Sequence, residues 1–468
     1  MSPATIGSWD LAGASRPLIE ALLAMALLAA VVLSRRSVAR ETHKRGARIL
    51  DGRAAQRRTA RLQLLRREPL LTLAGVGIAP GDEVKHFKLI GTTGTGKSTA
   101  IRELVARALE RGDRAVITDP DGGYLARFYD PGRGDVILNP FDSRSLQWDP
   151  FAEVREPYDA EQLAGSLIPS TQDASGREWR GYARTYLTAV VRRCHEIGRR
   201  DAAELWRLIA MAPSAELRSI VAGTPAQPFL EPENARMFGS IRSVAGSAAA
   251  ALEHVQAQRA RSFSVRDWIG TGRGALFLPY EASQIAALRT IIATWVRLSI
   301  FETMCHEGID RRPLWLVVDE LDALGAIDGL KDALARLRKF GGRCILGFQS
   351  VAQVSGTYGA AEAQTIVENC ANTLILRCSA SEHGGTSQFA SRLIGEREVA
   401  RRSTSRGRDG GGFPGGRGWR RSTNITEQRV TEAALLASQL EQLPDLTGYL
   451  KTASSPAWLR VRLRPDVG

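Results

Sequence analysis

The stretch Gly91-Thr92-Thr93-Gly94-Thr95-Gly96-Lys97-Ser98 decides how the rest of the chain is read. It fits the pattern G-x-x-x-x-G-K-[ST] at every fixed position. Glycines let successive backbone N–H groups curl toward the β-phosphate of a nucleotide. The lysine then reaches the β- and γ-phosphates, and the serine hydroxyl can ligate Mg²⁺. Gly91, Thr92, Thr93, Gly94, Thr95, Gly96, Lys97, Ser98 and Thr99 are therefore the candidate ATP-binding residues, with Lys97 also catalytic and Ser98 also a metal ligand. The flanks agree with this reading. His86 to Ile90 reads as a buried strand entering the loop, and Ile101, Leu104, Val105, Ala108 and Leu109 recur at helical spacing beyond it. The N-terminal dipole end of that helix faces the phosphates.

The 468 residues allow two or three domains, and the net charge is +13. That charge is not spread evenly. Twelve Lys/Arg against three acids lie between Arg35 and Glu68, and eight Arg against three acids between Glu396 and Arg421. The remainder is close to neutral, so the high isoelectric point does not mark a protein that coats nucleic acid. The five cysteines contain no C-x-x-C pair, which excludes a disulfide framework and fits a reducing compartment. Cys194-His195 and Cys305-His306 are adjacent pairs with no further ligand cluster near, and read as packing residues.

Leu18 to Leu33 is apolar apart from Glu20. Sixteen helical residues span about 24 Å, and Ser34 with snorkelling Arg35 and Arg36 extends the run toward the roughly 30 Å of a hydrocarbon core. Residues 1–34 are expected to form a periplasmic N-terminus and a single transmembrane anchor. The arginine excess behind it places the bulk of the chain in the cytoplasm. Residues 35–69 read as a basic juxtamembrane segment facing lipid.

A nucleotide-binding domain is expected over 70–148. Ala115 to Thr118 is a second strand ending in Asp119-Pro120-Asp121-Gly122, and Val136 to Leu138 is a third. Strand signals vanish over 149–258, where helical patterns (Tyr182 to Ile197, Ala202 to Met211, Ser214 to Val221, Ala235 to Val255) indicate an inserted all-α domain. The sheet domain resumes over 259–468, with strands at Gly274 to Leu278, Cys344 to Phe348, Thr373 to Arg377, Gly448 to Lys451 and Trp458 to Leu463, and a helix at Glu432 to Leu443. Within it, Pro313 to Val318 is an apolar strand ending in Asp319-Glu320. At a strand end downstream of a phosphate loop, Asp319 is the second candidate metal ligand and Glu320 the candidate that polarises an attacking water. Residues 403–424 are Ser, Thr, Gly and Arg, and read as a mobile loop, either solvated or touching nucleic acid.

These elements occur in a familiar order. The phosphate loop, Asp119-Pro120-Asp121-Gly122, Leu138-Asn139-Pro140-Phe141-Asp142, the helical insertion, Leu288-Arg289, Asp319-Glu320, Arg338-Lys339, Gly347-Phe348-Gln349-Ser350 and Leu443-Pro444-Asp445-Leu446 together resemble the type IV secretion coupling proteins of conjugation, the TraD/TrwB group. The resemblance implies an α/β, RecA-like P-loop NTPase domain with an inserted all-α domain and an N-terminal transmembrane anchor in the bacterial inner membrane. It implies a homo-hexamer that hydrolyses ATP with Mg²⁺ to move single-stranded DNA, with its relaxase and without sequence preference, into a channel of inner-membrane type IV secretion components. It implies that Gln349 senses the γ-phosphate or attacking water and that Arg338 is an arginine finger inserted by a neighbouring subunit. Family members commonly carry two membrane helices, where one is expected here. Two other readings share these motifs: a receptor ATPase that recruits protein effectors, and a DNA translocase of the FtsK/HerA type.

Overall fold

The computed structural model describes residues 41–465 except 67, 172, 306–311, 382–384 and 410–419, with the backbone alone over 403–409 and 420–424. The expected membrane helix at 18–33 and the middle of the Gly/Arg-rich segment lie outside the described residues. Among the described residues, no helix is long and apolar enough to cross a membrane. The chain divides into two compact units, one of Arg48–Ile394 with Leu435–Gly468, the other of Gly395–Ala434 with the residues up to Ala47.

The larger unit is built on ten strands: β1 Ile49–Asp51, β2 Phe87–Ile90, β3 Arg114–Pro120, β4 Val136–Ile137, β5 Ala275–Tyr280, β6 Leu314–Val318, β7 Gly342–Phe348, β8 Asn372–Ile375, β9 Thr447–Lys451 and β10 Trp458–Arg462. Their order in the sheet is β1-β10-β9-β8-β2-β7-β6-β3-β5-β4. Seven of them, β8 through β4, are mutually parallel. Such strands are covered on both faces, which is why β6 (LWLVV) and β5 (ALFLPY) are apolar throughout and wholly buried. Lys88 in β2 is one of the buried polar residues in these strands, and its ammonium donates to the carbonyls of Val367 (2.8 Å) and Cys370 (2.6 Å). The helix Lys97–Glu110 follows β2 and packs Ile101, Leu104, Val105 and Leu109 on the sheet. Each of these side chains contributes roughly 1.5–3 kcal/mol by burial.

A short parallel pair, Gln147–Trp148 with Ser262–Phe263, closes the root of a helical insertion. Its helices are Pro157–Leu167, Ala174–Glu196, Ala202–Ala210, Ser214–Val221, Ala235–Ala249 and Ala251–Ala257. The pattern expected as one helix from Ala235 to Val255 is thus two, and Pro157–Leu167 is an additional one. Buried Glu153 pins the root, accepting from Trp148 Nε1 (2.9 Å) and from the amides of Val265 (2.7 Å) and Arg266 (3.0 Å). Burial raises its carboxyl to about 7.

Three expectations are corrected. The basic segment 35–69 is not wholly a lipid-facing strap. Strand β1 pairs with β10, and the helix Arg53–Leu65 is tied to the body by Gln56, which donates to Ala74 O (2.7 Å) and Arg462 O (3.1 Å). The segment 403–424 is not simply a loop. Strands Glu396–Asp409 and Arg420–Ala433 pair antiparallel from Glu396↔Ala433 to Asp409↔Arg420, with Glu41–Gly46 on the outer edge. These strands lack an apolar alternation because cross-strand charge pairs hold them, Arg401 with Glu41 (2.9 Å) and Glu432 (2.7 Å) and Arg397 with Glu432 (2.8 Å). The helix expected from Glu432 to Leu443 consequently shrinks to Ala437–Glu441, and residues 395–434 leave the sheet domain for the smaller unit.

Candidate active site

The parallel register brings the ends of four strands to one edge. Val318 lies beside Thr118 and Leu346, and Phe348 beside Ile90. The residues that follow, Asp319 and Glu320, Asp119, Gln349 and the Gly91 loop, therefore share that edge.

The loop is held from both sides by backbone. Gly91 N donates to Phe348 O (3.2 Å), Thr92 N to Arg377 O (2.9 Å) and Leu446 N to Thr95 O (3.0 Å). Gly96 has φ +108°, and a Cβ there would meet Leu446 Cδ2 at 2.7 Å. Leu446 itself is left-handed at φ 58°. The Leu443-Pro444-Asp445-Leu446 motif thus clamps the phosphate loop, and Asp445 also pairs with Arg377 at 2.8 Å.

Lys97 opens the following helix and is buried, 7 % exposed, rather than standing in an exposed loop. Ser98 Oγ donates to Asp319 Oδ2 (2.7 Å), and so does Tyr124 Oη (2.7 Å). Asp319 Oδ1 is buried without a partner among the described residues. A buried anionic oxygen with no donor costs free energy unless a cation or water meets it. A serine hydroxyl and a carboxylate oxygen at this spot are a hard-oxygen set of the kind Mg²⁺ takes.

Glu320 Oε1 accepts from Gln349 Nε2 (2.8 Å), and Gln349 Oε1 accepts from Thr93 Oγ1 (3.3 Å). Burial raises the Glu320 carboxyl above its ordinary value, and the nearby Asp319 adds to this, while the Gln349 amide and the Lys97 charge oppose it. Gly347 lies beside Asp319 on β7, and a Cβ there would stand 2.1 Å from Asp319 O. Only glycine lets the two strand ends approach this closely.

Several residues of the site carried a sequence signal without a readable role. Asp119 accepts from the amides of Tyr124 (2.9 Å) and Leu125 (2.6 Å), capping the helix Gly123–Phe128. Asp121 and Gly122 are both left-handed, φ 60° and 69°, which explains the Asp-Pro-x-Gly turn. Burial raises the Asp119 carboxyl to about 6 despite those amides. Tyr124 and Tyr280 carried no signal. Tyr280 is buried, its hydroxyl has no partner among the described residues, and its phenol is pushed up by burial and by Glu320, Asp319, Asp119 and Asp121.

Arg338 is not brought to this site. It is exposed in the turn Leu337–Phe340, which precedes β7, whereas Gln349 follows β7. A seven-residue strand separates them by about 20 Å. The positive charges of Arg338 and Arg343 instead lie near His86, whose imidazole burial and these charges lower to about 4.

A parallel sheet with a glycine-rich phosphate loop on one strand and an acid pair on a strand two places away defines a RecA-like P-loop nucleotide-binding fold carrying a helical insertion. The family model for the type IV secretion-system coupling protein DNA-binding domain matches residues 70–464, and the chain belongs to that family. It is 29% identical over 393 residues to the coupling protein TraD of Escherichia coli (strain K12), covering 81% of this chain and 52% of that protein. The chain thus spans about half the length of this curated relative. The solved structure of the bacterial conjugative coupling protein TrwBdeltaN70 superposes with a TM-score of 0.78 at 32% identity, covering 90% of this chain and 94% of that one. The plasmid coupling protein TrwB in complex with ADP and Mg²⁺ superposes with a TM-score of 0.77, also at 32% identity and with 90% and 94% coverage.

Proposed function

We propose that this chain is the membrane-anchored ATPase that couples a relaxase-bound single DNA strand to a type IV secretion channel and drives its transfer. Membership of the coupling family supplies the process. The observation that carries the chemistry is the Ser98–Asp319 pair with an open buried Oδ1 beside the phosphate loop.

ATP binds with its phosphates on the backbone of Gly91 to Thr99 and its γ-phosphate near Lys97. Ser98 and Asp319 would hold Mg²⁺, which would neutralise charge on the β- and γ-phosphates. Glu320 accepts a proton from the water that attacks the γ-phosphorus, and Gln349, hydrogen-bonded to Glu320, orients that water. Phosphate and ADP leave. Lys97 stabilises the charge that builds on the transferring group. Arg338 serves a neighbouring subunit in a homo-hexamer. Residues 18–33 fix the chain in the inner membrane, with the ATPase on the cytoplasmic side among the channel's inner-membrane components.

The test is ATP turnover by the full chain with and without a single-stranded oligonucleotide. Because β1 and the helix Arg53–Leu65 belong to the body, the full chain is the material for this test. Mg²⁺-dependent hydrolysis raised by the oligonucleotide is expected. Absence of hydrolysis sinks the ATPase reading. Hydrolysis indifferent to DNA but raised by a secreted protein moves the chain to the effector-receptor reading.

A further inference from the structure

The Leu288-Arg289 motif has no part in the nucleotide site. Arg289 lies at the start of the long helix Ile285–Cys305, on the wall of a cavity of about 830 Å³ shared with the helical insertion. The other polar lining is Thr290 beside Arg289, Trp179 and Arg180 from the helix Ala174–Glu196, and Ser240, Ser243 and Ser247 from one face of Ala235–Ala249. Among the described residues, no acidic side chain lines the cavity. Arg289 is exposed, and among the described residues it makes no hydrogen bond or ion pair. Arg180 gives one amino group to Pro169 O (2.9 Å).

Trp179 is half-buried and braced. Its ring meets Tyr182 edge to face (5.9 Å, 84°), and Tyr182 meets Phe229 likewise (5.6 Å, 63°). An indole held this way is a platform for stacking. The cavity floor is Leu324-Gly325-Ala326, a few residues beyond Glu320. Gly325 is left-handed at φ +71°, and a Cβ there would stand 3.5 Å from Arg289 Cδ, so the arginine stem lies across that turn.

We propose that this groove holds a segment of single-stranded nucleic acid, with a base stacked on Trp179, phosphates on Arg289 and Arg180, and the serine hydroxyls as further donors. Unpaired guanidinium, aromatic platform and hydroxyls without any carboxylate are the chemistry of a single-strand site. The volume is that of a small-ligand site, which admits an unpaired base or two and excludes a duplex. The floor links the groove to the acids: a strand pulling on Arg289 bears on the Gly325 turn, and through it on Glu320. This assignment rests on the DNA-transfer reading above and gives it a location.

The test is fluorescence anisotropy of the full chain with labelled oligothymidylate, across a salt series, read alongside ATP turnover. Trp179→Ala should weaken binding about tenfold, the scale of one lost stacked base, and Trp179→Phe should restore most of it. Arg289→Ala should lower the slope of log affinity against log salt by about one. Basal turnover should be unchanged in Trp179→Ala while its stimulation by oligothymidylate falls. If wild-type protein does not bind the oligonucleotide, the DNA-transfer reading fails and takes the groove with it. If wild type binds and both alanine variants bind equally well with an unchanged salt slope, the groove assignment alone is overturned. Poly-glutamate binding that falls in Trp179→Ala and Arg289→Ala while oligothymidylate binding does not also overturns it, in favour of an acidic protein segment.

Discussion

Ser98 and Asp319, 221 residues apart in the chain, meet in a 2.7 Å hydrogen bond at the mouth of the phosphate loop. The contact consumes one oxygen of the carboxylate, and Tyr124 bonds the same oxygen. The other is buried and has no partner among the described residues. Three side chains thus aim one anionic oxygen at the place where a phosphate-bound cation belongs.

Asp319→Asn keeps the shape and leaves an acceptor for Ser98 and Tyr124, but removes the charge. We expect the fold to survive and the Mg²⁺ concentration for half-maximal ATP turnover to rise tenfold or more. An unchanged Mg²⁺ requirement would mean that the carboxylate is only a structural acceptor.

Glu320→Gln is isosteric and leaves Asp319 in place. A positioned base contributes about 10²–10⁴ in rate, so turnover should fall by that range while ATP binding, read by equilibrium dialysis, stays near normal. Loss of binding would make Glu320 a structural residue or a metal ligand.

The Gln349–Glu320 hydrogen bond gives a pH signature. Burial raises the Glu320 carboxyl, and the Gln349 amide favours its ionised form. A base must be ionised to act, so activity fails on the acid side of its pKa. Gln349→Ala removes a force that lowers this pKa, and the acid limb of kcat/KM, which reports the free enzyme, should move to higher pH. A limb that stays put or moves to lower pH contradicts this coupling.

Gly347 has one neighbour that forbids a side chain, the Asp319 carbonyl at 2.1 Å from a would-be Cβ. Gly347→Ala forces β6 and β7 apart at the acid pair, an overpacking cost of about 1–3 kcal/mol. Denaturant unfolding should show that loss, and turnover should fall with it because Asp319 moves. Wild-type stability and turnover together would mean that the strand ends are looser than the structure has them.

Much of this was legible in the sequence, for definite reasons. Buried parallel strands are runs of apolar residues, so Leu314 to Val318 declared itself and carried Asp319 and Glu320 to its end. The loop Gly91 to Ser98 has a fixed chemistry and therefore a fixed pattern. What stayed hidden lacked such a signal. The hairpin Glu396–Asp409 with Arg420–Ala433 is held by its backbone ladder and by pairs such as Arg401–Glu432, and its composition is that of a loop. Tyr124 and Tyr280 reach the acids only through the folded sheet. The clamp of Leu446 on Thr95 joins residues far apart in the chain by a main-chain bond, which no side-chain pattern reports.

Arg338 carries the last expectation. It sits at the far end of β7 from the phosphate loop, about 20 Å by strand length, so it does not reach the nucleotide of its own subunit. A finger role therefore requires a neighbour. Such arginines contribute about 10³–10⁵ in rate in other nucleotide hydrolases. Arg338→Ala should bind ATP normally and turn it over slowly, and Lys97→Ala should be inactive at its own loop. Mixing the two proteins should restore part of the activity, because some interfaces then pair an intact Lys97 with an intact Arg338. Mixed assemblies that demonstrably form and stay inactive would return Arg338 to an ordinary solvated arginine beside His86.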